Sequence, residues 1–292
     1  MDKILLKIRT KIFKKIYQYP FFKYQADCFY QQAIEKNLQN LPLLSAHDID
    51  LIEIIKREGV FITTLDKLGI TSTIDMWKSA QYLMQKISED TFNHSDQIVV
   101  HASSEQIMKY PQIFLWGLEQ RLLNIVENYI CLPVAYQGVY FRRDIANQLE
   151  AGSRLWHIDQ EDRKILKIII YLNDVSEDYG PFQYIPKSLT SKISDSLKYT
   201  SGYIQDKIMQ GVISSEVYKS CTGIAGTVII AETSNIFHRG KPPINSDRFA
   251  IFFDYTSRRY KQTLYGTSTL GYKDLLLLTK NLSETQKKCI FW

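Results

Sequence analysis

From about residue 133 onward the chain is cut into short runs rich in β-branched and aromatic residues, at 139–143, 154–159, 165–172, 227–231 and 249–255. Turn-forming clusters separate them: Glu150-Ala151-Gly152, Asn173-Asp174, Tyr179-Gly180-Pro181, Pro242-Pro243 and Asn245-Ser246-Asp247. Short strand-forming runs broken this often predict a β-sandwich or jelly roll. The 19 Tyr and 14 Phe fit either a β-rich core or aromatic-lined pockets.

The first half reads differently. Ile4, Leu5, Ile8, Ile12 and Ile16 recur at helical spacing over 3–16 with lysines opposite, and Pro20 bounds that helix. Such a basic amphipathic helix can dock on its own domain or make a weak contact with an anionic membrane surface. Ser45 is placed to cap a helix over 47–57 that Gly59 ends, and a short strand at 60–63 follows. Helical patterns recur over 75–87 and through Phe114, Leu118, Leu122 and Val126, the longer one expected to cover a sheet. Between the later strands, the Ser-rich segment 187–222 has the length of a lid or binding loop. The expected organisation is an N-terminal extension (1–44), a β domain with its helices (45–262) and a C-terminal extension (263–292).

Composition removes several functional classes. A chain of 292 residues suits one large domain, and its 45% apolar and 23% charged content is that of a globular protein. The net charge is +5, yet residues 1–15 alone carry six Lys/Arg against Asp2, so the rest is near neutral and offers no broad nucleic-acid surface. Four scattered cysteines form no C-x-x-C, which argues against a zinc knuckle or a dithiol redox pair. Free thiols fit a reducing compartment, here the cytoplasm. No apolar run reaches membrane-spanning length, and the basic N-terminus lacks the apolar stretch and cleavage site of a secretory signal.

Five histidines are present, and one of them opens His157-Ile158-Asp159 inside an apolar extended stretch. Residues two apart on an extended segment point the same way, so His157 and Asp159 can reach one metal ion. His238 follows the run 227–231 and a short turn, where a barrel could return the chain to the same point. Two neutral imidazoles and a carboxylate with open positions beside them are the ligand set of non-haem iron(II) oxygenases. A second tripeptide of this form, His94-Ser95-Asp96, lies in polar, loop-like surroundings. Arg248 opens the run after His238. A guanidinium there can grip a carboxylate through two parallel hydrogen bonds, or it can be an edge-strand surface charge. Trp156, Arg142 and Arg154, with Arg143 and Arg163, flank the ligands and are candidates for a small-molecule substrate pocket. The competing reading is strand-surface charge around one core tryptophan.

Several stretches resemble the phytanoyl-CoA dioxygenase-like branch of the iron(II)/2-oxoglutarate-dependent dioxygenases: WHIDQED at 156–162, KIIIYLNDVSEDYGPFQYIPKS at 167–188, GTVIIAETSNIFHRG at 226–240 and DRFAIFFDYTSR at 247–258. DIDLIEIIKREGVFIT at 48–63 resembles the family's opening helix and strand, so the resemblance covers roughly 45–258. It implies a double-stranded β-helix (jelly-roll, cupin-like) core. It also implies iron(II) on His157, Asp159 and His238, 2-oxoglutarate held through its distal carboxylate by Arg248, and dioxygen as co-substrate. Tyr140, on the preceding strand, becomes a candidate cofactor contact. Many members place Ser or Thr two residues after the second histidine, where this chain has Gly240. The expected reaction is hydroxylation of a small, specialised metabolite, with desaturation or ring closure as alternatives. Asp159 argues against halogenation, since related halogenases lack that carboxylate. A cupin-like protein using another ion without 2-oxoglutarate, and a non-catalytic protein at a membrane surface, are the competing classes.

Overall fold

A computed structural model describes residues 20–89, 97–259 and 270–292. The expected helix at 3–16 and the tripeptide His94-Ser95-Asp96 lie outside these residues. Pro20 is itself the first residue of a helix, Pro20–Leu38, where its missing N–H costs nothing.

The strands are β1 (Val60–Thr64), β2 (Val99–His101), β3 (Val134–Asp144), β4 (Leu166–Tyr171), β5 (Phe182–Tyr184), β6 (Lys219–Cys221), β7 (Thr227–Glu232), β8 (His238–Gly240) and β9 (Arg248–Ser257). Six form an antiparallel sheet in the order β1-β7-β4-β9-β3-β2, and three form a second in the order β6-β5-β8. The chain passes from the large sheet (β4) to the small one (β5, β6), back (β7), across (β8) and back again (β9). The two inner faces meet. Ile169 and Tyr171 of β4, Ile229 and Ala231 of β7 and Ala250 of β9 share a buried cluster with Phe182 of β5 and Cys221 of β6.

Alternate residues of the same strands point outward. Ile168, Ile170, Val228, Ile230, Ile251 and Phe253 pack with Leu51 and Ile55 of helix Ala46–Glu58, Met76 and Leu83 of helix Thr73–Glu89, and Leu122, Ile125 and Val126 of helix Gln120–Ile130. Burial on both faces is why these strands read as unbroken apolar runs, each such side chain contributing about 1.5–3 kcal/mol. Helix Ala46–Glu58 begins where Ser45 accepts the Asp48 N–H and ends at Gly59, which has φ 84°.

Two elements differ from expectation, and a third, the partly helical segment 187–222, adds a strand. The single helix through 114–126 is two, Pro111–Trp116 and Gln120–Ile130. The break falls at Gly117, where a Cβ would lie 2.5 Å from Tyr136 Oη, and whose carbonyl accepts from Tyr255 Oη at 2.7 Å. The chain must approach β3 and β9 too closely there for a helix with side chains. The run 154–159 is not a strand: a 3-10 turn, Gly152–Arg154, precedes two isolated bridges, Trp156 to Ile204 and His157 to His238. The segment 187–222 carries helices Lys187–Leu197 and Asp206–Gln210, then ends as β6 inside the small sheet.

At the C-terminus Cys289 and Ile290 are buried in the outer core, and Cys289 O accepts the Tyr136 N–H at 2.7 Å. No helix among the described residues is long and apolar enough to cross a membrane.

Candidate metal centre

The isolated bridge between His157 and His238 sets the site. Each backbone N–H donates to the other's carbonyl, at 3.1 and 3.0 Å, which brings the two rings to 4.2 Å between centroids. Asp159 N–H donates to Thr233 O at 3.0 Å, fixing the third residue against the same return of the chain. One ligand atom from each of His157, Asp159 and His238 lies within 4.8 Å of the others, so the group could hold a metal ion. In each ring Nδ1 faces a carbonyl, Leu155 O at 2.8 Å for His157 and Ile236 O at 3.2 Å for His238. A carbonyl only accepts, so Nδ1 carries the proton and Nε2 is the free donor atom. Those Nε2 atoms lie 3.6 and 3.7 Å from Asp159 Oδ1 and Oδ2. Phe182 stacks on His238 and Tyr203 meets His157 edge-on.

The electrostatics suit a cation. Burial, and then the neighbouring His157, push His238 down to about 3, and burial lowers His157 as well, so both rings are neutral at pH 7. Burial alone would raise Asp159, but the Lys167 ammonium beside it outweighs that and holds the carboxyl well below its usual range. Lys167 Nζ is 2.7 Å from Asp159 Oδ2 and 3.7 Å from Asp254 Oδ2. The ammonium serves Asp159 first, so burial wins at Asp254 and pushes it up to about 6.

Arg248 opens β9 at the other end of the inner face. It is fully buried on a central strand and not at an edge. Its Nε and Nη2 donate to Asp144 Oδ2 at 3.1 and 2.9 Å, and Nη1 donates to Gly180 O. Asp144 also takes Nε of Arg142 at 2.9 Å, with Arg142 Nη2 on its other oxygen. Gly240 makes room for this cluster, because a Cβ there would stand 2.8 Å from Arg248 Nη2.

The remaining candidates are placed as follows. Tyr140 points inward from β3, half-buried, with burial and then Asp254 raising its hydroxyl pKa. Arg142 lies over the Phe252 ring and belongs to the Asp144 cluster. Arg154 is buried, and its Nη atoms bond Asn147 Oδ1 and the carbonyls of Ile98, Ile145 and Leu149. Trp156 is fully buried, donates to Asp206 Oδ1 at 2.8 Å and carries Arg239 over its ring. Arg154 and Trp156 thus pin the loop that presents His157, with only Arg154 Nε among their side-chain nitrogens left without a hydrogen-bond partner. Arg143 pairs with Asp247, and Arg163 with Asp27. Lys167, Asp254 and Asp144 were not singled out from sequence. Lys167 carries a signal, a single charge in the otherwise apolar run of β4; β3 and β9 hold other charged residues, so Asp144 and Asp254 do not stand out in the same way.

No protein-family model matches the chain, and no curated protein matches it. Solved structures do. The epimerase SnoN, crystallised with Fe3+, alpha ketoglutarate and nogalamycin RO, superposes with a TM-score of 0.51 at 12% identity over 75% of this chain and 88% of SnoN. A second SnoN structure, described as a non-heme alpha ketoglutarate dependent epimerase from nogalamycin biosynthesis, gives 0.50 at 10% identity over 78% of this chain and 97% of SnoN. The chain has the fold of SnoN. HygX from Streptomyces hygroscopicus, with nickel, 2-oxoglutarate and hygromycin B bound, matches at 0.49 and 14% identity over 78% of this chain and 96% of HygX.

Proposed function

We propose that the chain is an iron(II)- and 2-oxoglutarate-dependent dioxygenase of the phytanoyl-CoA dioxygenase-like type that hydroxylates a C–H bond of a small-molecule metabolite. One observation carries this reading. His157, Asp159 and His238 converge at one point of the interior, and the head of Arg248 lies against Gly240, two residues from His238 on the same strand. Two residues of strand span about 7 Å, a distance that suits a chelating acid gripped at its far carboxylate. The alternation of strands between two facing sheets supports a double-stranded β-helix, and SnoN, solved with Fe3+ and alpha ketoglutarate, shares the fold.

The donor set fits iron(II). Two neutral imidazoles and one ionised carboxylate are ligands for a borderline divalent ion, and no thiol competes among them. His157 and His238 would bind through Nε2 and Asp159 through its carboxylate. Bound iron(II), with 2-oxoglutarate and dioxygen, supplies the oxidising chemistry and releases succinate and carbon dioxide. The protein's share is orientation. The two Nδ1 to carbonyl bonds hold the imidazoles, and Phe182 and Tyr203 shield them from solvent. Arg142 and Arg248 share one Asp144, leaving one positive charge to receive the far carboxylate of the oxo acid. Tyr140 is the candidate for a second contact, since Gly240 offers no hydroxyl. Asp159 favours hydroxylation over halide transfer by occupying the position a halide would need.

The test is anaerobic addition of iron(II) and 2-oxoglutarate to the purified chain. A visible charge-transfer band, and succinate formation once oxygen is admitted, are the expected results. His238→Ala removes both. Metal uptake without the band or succinate points instead to a cupin-like protein with other chemistry. A C–H bond is also attacked in an epimerisation, the activity SnoN is named for, so labelled dioxygen and product mass separate hydroxylation from epimerisation, desaturation and ring closure.

A further inference from the structure

We propose that Lys167 is a positioning residue that limits Asp159 to one oxygen on the metal; this rests on the oxygenase reading above. Lys167 stands on the inner face of β4, directly across from Asp254 on β9. Its Nζ is 2.7 Å from Asp159 Oδ2. The two oxygens of Asp159 face different imidazoles, Oδ1 toward His157 and Oδ2 toward His238, at nearly equal distances of 3.6 and 3.7 Å. A carboxylate so placed can offer both oxygens to one ion. The ammonium stands against Oδ2 as an ion pair, although that oxygen accepts no well-directed hydrogen bond, and leaves Oδ1.

The count of positions gives this consequence. On a six-coordinate ion, two imidazoles and one carboxylate oxygen leave three positions, enough for a chelating oxo acid and dioxygen. Two carboxylate oxygens leave only two. A merely structural residue here would be apolar like its neighbours on β4. Ordering a lysine side chain instead costs rotamer freedom, and the ammonium is brought into an interior built around Ile169, Ile229 and Phe182. Such partners of a metal-bound residue orient it and tune the centre.

The experiment uses the full chain without oxygen and cobalt(II) as the probe. Calorimetry measures cobalt(II) uptake, and 2-oxoglutarate is then titrated into the loaded protein. In Lys167→Met, cobalt(II) binds at least as tightly as in the wild type, because a competing positive charge is gone and a second oxygen is freed. The same variant binds 2-oxoglutarate about 10–100-fold more weakly, and the cobalt(II) absorption spectrum in its presence differs from that of the wild type. Lys167→Arg, which keeps a cation on Oδ2, restores most of the 2-oxoglutarate affinity. Unchanged 2-oxoglutarate affinity in Lys167→Met overturns the inference and spares the oxygenase reading. Parallel loss of cobalt(II) and 2-oxoglutarate also overturns it, making the lysine a simple prop for Asp159. Wild-type protein that takes cobalt(II) but no 2-oxoglutarate overturns both. Circular dichroism checks the fold, and Lys167→Gln is judged by the same criteria if the methionine variant fails to fold.

Discussion

Two charge clusters sit on one inner face, and they are mirror images in sign. At the candidate metal end two acids, Asp159 and Asp254, share one cation, Lys167. At the other end two cations, Arg142 and Arg248, share one acid, Asp144. The first cluster is left one charge negative and the second one charge positive. An interior this apolar does not keep unbalanced charge without a use, since isolated buried charges cost several kcal/mol each. The imbalances match a divalent cation at one end and a dicarboxylate reaching toward the other. The ion pair on Arg248 therefore does not disqualify it as a carboxylate anchor, because Asp144 neutralises only half of the positive pair and holds the guanidinium in place.

The comparison breaks most easily at Arg248. Arg248→Ala removes the proposed anchor and leaves Asp144 with one partner in a buried place. Truncating one member of such a pair costs about 3–5 kcal/mol of stability, and 2-oxoglutarate affinity falls by about 100-fold. Cobalt(II) affinity stays near wild type, because the ligands lie in the other cluster. Urea denaturation and calorimetry read the two effects separately. Equal loss of metal and 2-oxoglutarate would mean that the two ends are not independent.

The same change, aspartate to asparagine, should act in opposite directions at the two ends. Burial works to raise Asp144, but Arg142 and Arg248 overcome it and hold its carboxyl far below its unfolded value. Its contribution is present above about pH 4 and is lost as the pH falls further, so Asp144→Asn destabilises the metal-free protein at pH 7 by about 3 kcal/mol. Asp254 is raised to about 6, by burial that Lys167 only partly offsets. The folded state binds its proton more tightly than the unfolded chain, so the contribution of Asp254 to stability is fully present below about pH 4 and is lost as the pH rises through about 6. Asp254→Asn relieves that penalty and stabilises the metal-free protein at pH 7 by up to about 2 kcal/mol, with no gain near pH 4. Urea midpoints from pH 4 to 8 decide it: two variants that shift in the same direction at neutral pH would erase the contrast.

The two clusters also mark where sequence reading reached its limit. Helix Ala46–Glu58 was legible because Ser45 and Gly59 act within one turn of its ends. The strands β4, β7 and β9 were legible because burial on both faces leaves runs such as Ile168-Ile169-Ile170. The pairing of His157 with Asp159 could be read from their spacing. The clusters themselves could not. Lys167 meets Asp254 only through the register of β4 on β9, and Asp144 meets Arg248 only through that of β3 on β9. Register is set by packing of the whole face and not by either strand alone. The run 154–159 misled for a related reason. Its side chains suit a strand, but its backbone partners, Ile204 and His238, come from two separate returns of the chain and give one bridge each.

The smallest expected effect tests how tightly the anchoring end is built. Gly240 sits where a Cβ would come within 2.8 Å of Arg248 Nη2. A clash with the tip of a long side chain is usually cheap, since the tip swings away. This tip cannot, because Asp144 and Gly180 O hold it from two sides. Gly240→Ala should therefore push the guanidinium off its seat by a few tenths of an ångström. The stability cost is about 1 kcal/mol, at the low end of overpacking, while the Michaelis constant for 2-oxoglutarate rises by about 5–10-fold and cobalt(II) affinity is unmoved. Gly240→Ser discriminates further. If its hydroxyl recovers the affinity lost in the alanine variant, the site accepts a second carboxylate contact and glycine is a choice of this chain. If serine is as poor as alanine, Arg248 needs the whole of that space, and the anchor depends on the absence of a side chain at 240.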